Sequence, residues 1–296
     1  MNVLRIAGSP WSGPAGITAV RRAASNWFSA VESTIVPAAS YPNFAGKHAG
    51  EALHTAADFV AYLRRVGVRG DEPAPAGVIM CYQPSLYDHV LRAEGLDGKT
   101  PRGLPVALPS TGGRVGLLGK FGIGAPAAAV ELEQLAALGT SAVVSVGTAG
   151  SLQRDLAPGD LVLCEAAIRD EGVSHHYLPP ARLARAPAPM TAALGAAMTG
   201  AGLTFRTGTS WTIDAPYRET VAEARHYQAE GVLCVEMEAA ALFAVAQVRG
   251  LSLASAFVIS DSLAEEVWSP RFRDPAVQGG LVRVYQAAMA VLAGSD

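Results

Sequence analysis

With 296 residues, half of them hydrophobic and 17% charged, the chain can bury a sizeable core as one large domain or two small ones, and this excludes disorder. A net charge of −3, with Lys and Arg scattered along the chain, leaves no basic footprint for nucleic acid or an anionic membrane, so the expected substrate is not a polymer. Cys81, Cys164 and Cys234 lie in apolar runs without the paired spacing of a zinc site or a disulfide framework. The first residues, MNVLRIAGSPWSG, lack a basic segment followed by a long apolar one, and no later run of 18 apolar residues appears. Together these predict a cytoplasmic protein with reduced thiols, no metal, and no membrane or nucleic-acid partner.

From Met1 to about residue 70 the chain reads as a lead-in with helical pieces, an amphipathic one over Ile17–Val31 and another over Glu51–Gly67. Between them SYPNFAGKH marks a loop, and DEPAPAG is a short connector. Residues 1–76 are thus expected to pack on a main domain of residues 77–296. That domain opens with a strand, GVIMCY, whose following QPSLYDHVL turns into a helix. Next come a strand after Arg114, a glycine turn from Gly122 through Gly124 to Pro126, a helix over Ala127–Leu138 and a buried strand over Ala142–Val146. This order is that of a parallel α/β sheet. A glycine turn that opens a helix exposes backbone N–H groups to a ligand, although tight packing explains such a turn equally well.

A strand over Asp160–Ala166 leads into a polar loop with Asp170, Ser174, His175, His176 and Tyr177, whose spacing is not that of a tetrahedral metal set. Ala186–Gly202 reads as a helix of small residues, and Thr204–Glu219 as a strand, an aromatic-bearing turn and a polar helix start. Gly231–Glu238, GVLCVEME, is the stretch of greatest chemical interest. There Glu236 and Glu238 bracket Met237 at the junction between an apolar run and an Ala-rich helix. Such junctions are where α/β proteins keep their sites, and two carboxylates there suit the adjacent hydroxyls of a sugar. The alternative is a carboxylate pair that complements the helix dipole. A second apolar strand, LSLASAFVISDSL, ends in Ser260-Asp261, which suits either a site acid or a helix cap. An amphipathic helix, GGLVRVYQAAMAVLAG, closes the chain.

Taken together, V-E-M-E-A-A, G-I-G-x-P, V-G-T-x-G and the S-D pair resemble the purine nucleoside and uridine phosphorylases and their relatives, the methylthioadenosine/adenosylhomocysteine nucleosidases. The resemblance covers about residues 77 to 290. It implies a single α/β domain with a mixed, partly closed central sheet flanked by helices, assembled into dimers or hexamers. It also implies cleavage of the N-glycosidic bond of a nucleoside, with inorganic phosphate as co-substrate and no other cofactor, to give free base and ribose 1-phosphate.

Carried over residue by residue, Met237 and Glu238 would contact the ribose, with Glu236 beside them. Gly122, Gly124 and Thr148 would hold phosphate, or water. Asp261 would protonate a purine base, with Arg273, or Arg271, shifting its proton. Tyr217, Ser260 and Trp211 would line the base pocket, Trp211 standing in for the stacking phenylalanine that Pro216 replaces, unless Trp211 belongs to the core.

The chain departs from the family at the phosphate. Tyr82 and Gln83 stand where glycine and aspartate are expected, Ser145 stands where phosphorylases carry an arginine, and no arginine follows in the first loop until Arg92. Lys120 and Arg114 are the nearest replacements. The missing pair pulls toward a hydrolytic nucleosidase, whereas the glycine signatures pull toward phosphorolysis, which is the expected reaction. A non-catalytic nucleoside-binding paralogue is the remaining alternative.

Overall fold

The structure, a computed structural model, describes residues 41–44, 46–96, 104–265 and 268–294. The expected helix over Ile17–Val31 lies outside the described residues. The chain divides into two units, Met1–Ala45 and Gly46–Asp296. The larger unit therefore begins 31 residues before the boundary expected at Gly77. The reason is packing. Helix α1 (Ala56–Arg65), closed at its start by the Thr55–Asp58 capping box, lies on helix α3 (Ala125–Ala137), and Ala74 N–H bonds to Leu138 O.

Among the described residues nine strands form one sheet: β1 (Gly77–Cys81), β2 (Val106–Ala107), β3 (Val115–Leu118), β4 (Ala142–Ser151), β5 (Leu161–Asp170), β6 (Leu183–Arg185), β7 (Phe205–Ile213), β8 (Cys234–Glu236) and β9 (Ser252–Ser262). Their path is β2-β3-β1-β4-β8-β7-β5-β6, and β9 bridges β4 and β5. Strands β4, β8, β7, β5 and β9 thus close into a five-stranded barrel, which removes exposed edges from the centre of the fold.

Further helices are α2 (Pro84–Ala93), α4 (Ser174–Tyr177), α5 (Ala188–Gly200), α6 (Val221–Ala229), α7 (Ala239–Arg249) and α8 (Pro275–Ala293). The pleat divides the core between the two faces of the sheet. Val78 and Met80 of β1 join α3 and α7 on one face, while Ile79 and Cys81 join α2, α5 and α8 on the other. Helix α7 can be buried along Ala239–Ala246 because five of those eight residues are alanine, which lets backbones approach closely. Helix α8 is long and apolar enough to cross a membrane, with a mean hydropathy of 1.2. It packs instead on β1, β4, β9 and α5 through Val277, Leu281, Val284 and Ala288, as a core helix does.

Strand β4 organises the site. Its first half, Ala142–Val146, pairs with β1, its last two residues pair with β8, and β9 runs along its other edge from end to end. Gly147, Thr148 and Ala149 therefore lie between the end of one partner and the start of the next. The sequence predicts a strand that ends at Val146, but the continuous pairing with β9 holds Gly147 and Thr148 extended within the same strand. A crevice at the carboxyl ends of parallel strands, where the partner order changes, is the position at which α/β sheets place ligands.

Candidate active site

The Glu236–Glu238 junction has a defined division of labour. Glu236 is buried, and both its oxygens are used by the protein. Oε1 accepts from Ser210 Oγ at 3.0 Å and from Thr212 Oγ1 at 2.5 Å, and Oε2 accepts from the N–H groups of Glu238 and Ala239, each at 2.8 Å. Thr212 Oγ1 also accepts from Ala240 N at 3.0 Å, so three amides at the start of α7 are satisfied by β7 and β8 side chains. Glu236 consequently fixes the turn and presents no free oxygen to a sugar, which corrects the sequence expectation of ribose contact.

Glu238 is the carboxyl that this turn presents. It is 7% exposed, and its Oε1 accepts from Gly124 N at 2.5 Å. Burial first, then the charge of Glu236, push its pKa up to about 8, against the lowering pull of the Gly124 amide. The methyl carbon of Met237 approaches Gly124 closely: a Cβ built at that glycine would lie 3.8 Å from it. Gly124, at φ 93°, holds a conformation open to glycine and strained for other residues. The glycine turn and the V-E-M-E segment, 114 residues apart, thus meet as the motifs imply.

Beside them, across the gap in the pairing of β4, stand the residues that depart from the resembled family. The Tyr82 ring lies against Gly147 and edge-on to Phe121, and its hydroxyl shares a 3.1 Å hydrogen bond with Ser145 Oγ. Burial, and next the charge of Glu238, push the Tyr82 phenol well up, so it stays neutral. Gln83 Nε2 donates to Thr148 Oγ1 at 2.8 Å. Neither replacement cation joins this corner. Lys120 Nζ bonds Asp88 at 2.6 Å and lies over the Tyr87 ring, while Arg114 precedes β3 at the opposite end of the sheet. Lys120 also holds a φ of 58°, a left-handed backbone that aims it toward α2.

On the other edge of β4, a bulge opposite Ala149 and Gly150 inserts Ser260 as an extra residue, so that Asp261 pairs with Gly150. Bulges of this kind redirect a side chain. Asp261 is 8% exposed; its Oδ1 accepts from Ser260 Oγ at 2.7 Å and its Oδ2 from Trp268 Nε1 at 2.9 Å. The expected arginine is therefore replaced. Arg271 donates its backbone N–H to Ser260 O at 2.7 Å, both Arg271 and Arg273 are exposed, and the donors that reach Asp261 are the Ser260 hydroxyl and the Trp268 indole. Sequence pattern gave no sign of Trp268, because a tryptophan seven residues past Asp261 fits no motif spacing.

The expected base-side aromatics are not assembled in this chain. Trp211 is fully buried among Ile168, Ile213, Ala224 and Val235, tilted on Tyr227, with Nε1 bonded to Asp170 Oδ2 at 2.9 Å. It is a core residue and offers no open face. Tyr217, on a single 3-10 turn, is 100% exposed. Ser260 alone of the three is at the site, against Asp261. His175 and His176 are absorbed into the short helix α4, where His175 Nε2 meets Arg169 O at 3.1 Å and Glu171 caps the turn through Val173 N and Ser174 N.

Fold and motif geometry together define a class, and comparison with known proteins agrees with it. The phosphorylase superfamily model matches residues 89–284, about two thirds of the chain, and the chain belongs to that family. The uridine phosphorylase of Thermococcus kodakarensis is 31% identical over 166 residues, which span 51% of this chain and 55% of that protein. A guanosine phosphorylase of Halorubrum lacusprofundi is 31% identical over 147 residues, spanning 48% of this chain and 59% of its own length. The chain thus matches little more than half the length of these relatives. The crystal structure of a purine nucleoside phosphorylase from Toxoplasma gondii in complex with immucillin-H superposes with a TM-score of 0.63 at 21% identity, covering 75% of this chain and 91% of that one, a likeness of fold.

Proposed function

We propose that the protein cleaves the N-glycosidic bond of a nucleoside, preferably one with a purine base, using inorganic phosphate to release the base and ribose 1-phosphate. The observation that carries this is the pair of buried carboxyls, Glu238 and Asp261, delivered by β8 and β9 to the two edges of one strand end, with a glycine loop beside the first. Cleavage builds positive charge on the sugar and negative charge on the base, and the arrangement answers both needs. Glu238, with Met237, holds the ribose, and Glu236 fixes them. Asp261, steadied by Ser260, supplies a proton to the leaving base. Gly122, Gly124 and Thr148 line the place of the phosphate, which serves as co-substrate without a further cofactor. The chain assembles as a homo-oligomer, a dimer or hexamer, and the free buried thiols fit a cytoplasmic location.

Hydrolysis of the same bond is the second reading, favoured by one observation: the side chains that meet Thr148 and Ser145, Gln83 and Tyr82, are both neutral. Incubation with inosine, adenosine and uridine, with and without phosphate, separates the two. Ribose 1-phosphate formed only with phosphate supports phosphorolysis; free ribose at equal rates in both overturns it.

A further inference from the structure

We propose that Gln83 positions the attacking oxygen, by accepting the hydrogen that a phosphate P–OH, or a water, still carries. This rests on the reading above that the co-substrate lies in the Thr148 corner. The amide of Gln83 is used at one end only. Its Nε2 donates to Thr148 Oγ1 at 2.8 Å, while its Oε1 is buried and accepts no hydrogen bond among the described residues. Buried polar atoms in folded proteins are nearly always satisfied, and an exception at the carboxyl end of β1, beside β4, points to a partner that arrives with the ligand.

Thr148 completes the pair. Because its oxygen accepts from Gln83, its own hydroxyl hydrogen remains to be donated onward. The corner therefore offers one donor, Thr148 O–H, next to one acceptor, Gln83 Oε1. Its neighbour Tyr82 is committed to Ser145 and is held neutral. Such a pair complements an oxyacid that shows both an anionic oxygen and a hydroxyl. A guanidinium, which only donates, would serve the fully ionised oxygens alone.

The proton count agrees with this assignment. In phosphorolysis a phosphate oxygen forms the bond to C1′ as the C1′–N bond breaks, the electron pair leaves with the base, and the base gains one proton. Asp261 delivers that proton while an anionic oxygen of hydrogen phosphate makes the attack, and the hydrogen held at Gln83 stays on the phosphate until ribose 1-phosphate releases it to solvent, which restores the proton spent by Asp261. In hydrolysis water likewise gives up one hydrogen and keeps the other on the new C1′ hydroxyl.

The test compares wild type, Gln83→Met and the isosteric Gln83→Glu, with KM measured separately for inorganic phosphate and for whichever of inosine, adenosine or uridine is cleaved best. Gln83→Met is expected to raise the phosphate KM about tenfold or more, the effect of losing a hydrogen bond to a charged group, while the nucleoside KM stays within about twofold. Gln83→Glu, which adds a negative charge and consumes the Thr148 hydrogen, is expected to raise it further. If the wild type releases free ribose regardless of phosphate, the phosphate reading fails on its own. The Gln83 assignment then stands on a fall of about tenfold in hydrolytic kcat at unchanged nucleoside KM. Unchanged phosphate KM, or unchanged hydrolytic kcat, in both variants overturns it. So do parallel losses in both KM values with a lowered Tm, since those mark a structural role.

Discussion

Replacing Glu238 with glutamine tests the electrostatics of the candidate site. The folded protein holds this carboxyl at a pKa of about 8 against an ordinary 4.5. Between those values the native state keeps a proton that the unfolded chain has lost. The contribution of Glu238 to stability is therefore fully present below about pH 4.5 and is lost as pH rises through 8. At 1.36 kcal/mol per pH unit the full loss is about 5 kcal/mol, of which roughly 3 kcal/mol falls between pH 6 and pH 9. Glutamine keeps the shape and the acceptor for Gly124 N–H but does not titrate. Groups not coupled to Glu238, such as Glu219, raised to about 7 by burial and by Asp261, are common to both proteins and cancel in the difference. Urea denaturation at pH 6 and pH 9 should thus show wild type losing about 3 kcal/mol more than Glu238→Gln across that interval. Parallel pH dependences for the two proteins would refute the assignment of a buried, proton-holding Glu238.

Asp261→Asn should lower kcat by about 10²–10⁴-fold with little change in nucleoside KM, and purine nucleosides should suffer more than uridine; equal effects on all three would remove the base-protonating role. Gly150→Ala should destabilise the protein by about 1–3 kcal/mol and lower kcat together, because a Cβ there would lie 2.6 Å from Leu263 Cδ1 and 3.1 Å from Asp261 Oδ2; an unchanged melting temperature would show that this approach is slack. Trp211→Phe should cost about 1–3 kcal/mol through the bond lost to Asp170 and leave nucleoside KM as it was, and a tenfold rise in that KM would return Trp211 to the base pocket.

The parts of this molecule legible in its sequence are those whose physics is local. Periodicity and glycine punctuation place β1, the turn at Gly122–Gly124, helix α3 and the strand-to-helix junction at Glu236, because each depends on spacing within about a dozen residues. The length of β4 is not local. An apolar run that reads as ending at Val146 continues to Ser151 because β9, more than a hundred residues later, pairs along all of it. Strand β5 likewise runs on to Asp170, beyond the expected Ala166, because β7 pairs with it that far. The distinct roles of Glu236 and Glu238 were hidden for the same reason. Two glutamates separated by one residue look equivalent until Ser210 and Thr212 of β7 occupy the first of them.

The same contrast governs the departures from the family pattern. Tyr82, Gln83 and Ser145 read singly as losses, each a position where an expected residue is missing. In the fold they form two hydrogen-bonded pairs, Tyr82 with Ser145 and Gln83 with Thr148, along one stretch of a single strand edge. A cationic cradle replaced at only one of its positions would leave a buried hydroxyl or amide without a partner, which costs about 1–3 kcal/mol. Replacement on both sides of the gap leaves one atom unsatisfied, Gln83 Oε1, and it does so beside the hydroxyl of Thr148. Under the function proposed above, a co-substrate meets two neutral pairs in this corner, with one donor, Thr148 O–H, and one acceptor, Gln83 Oε1, left for it.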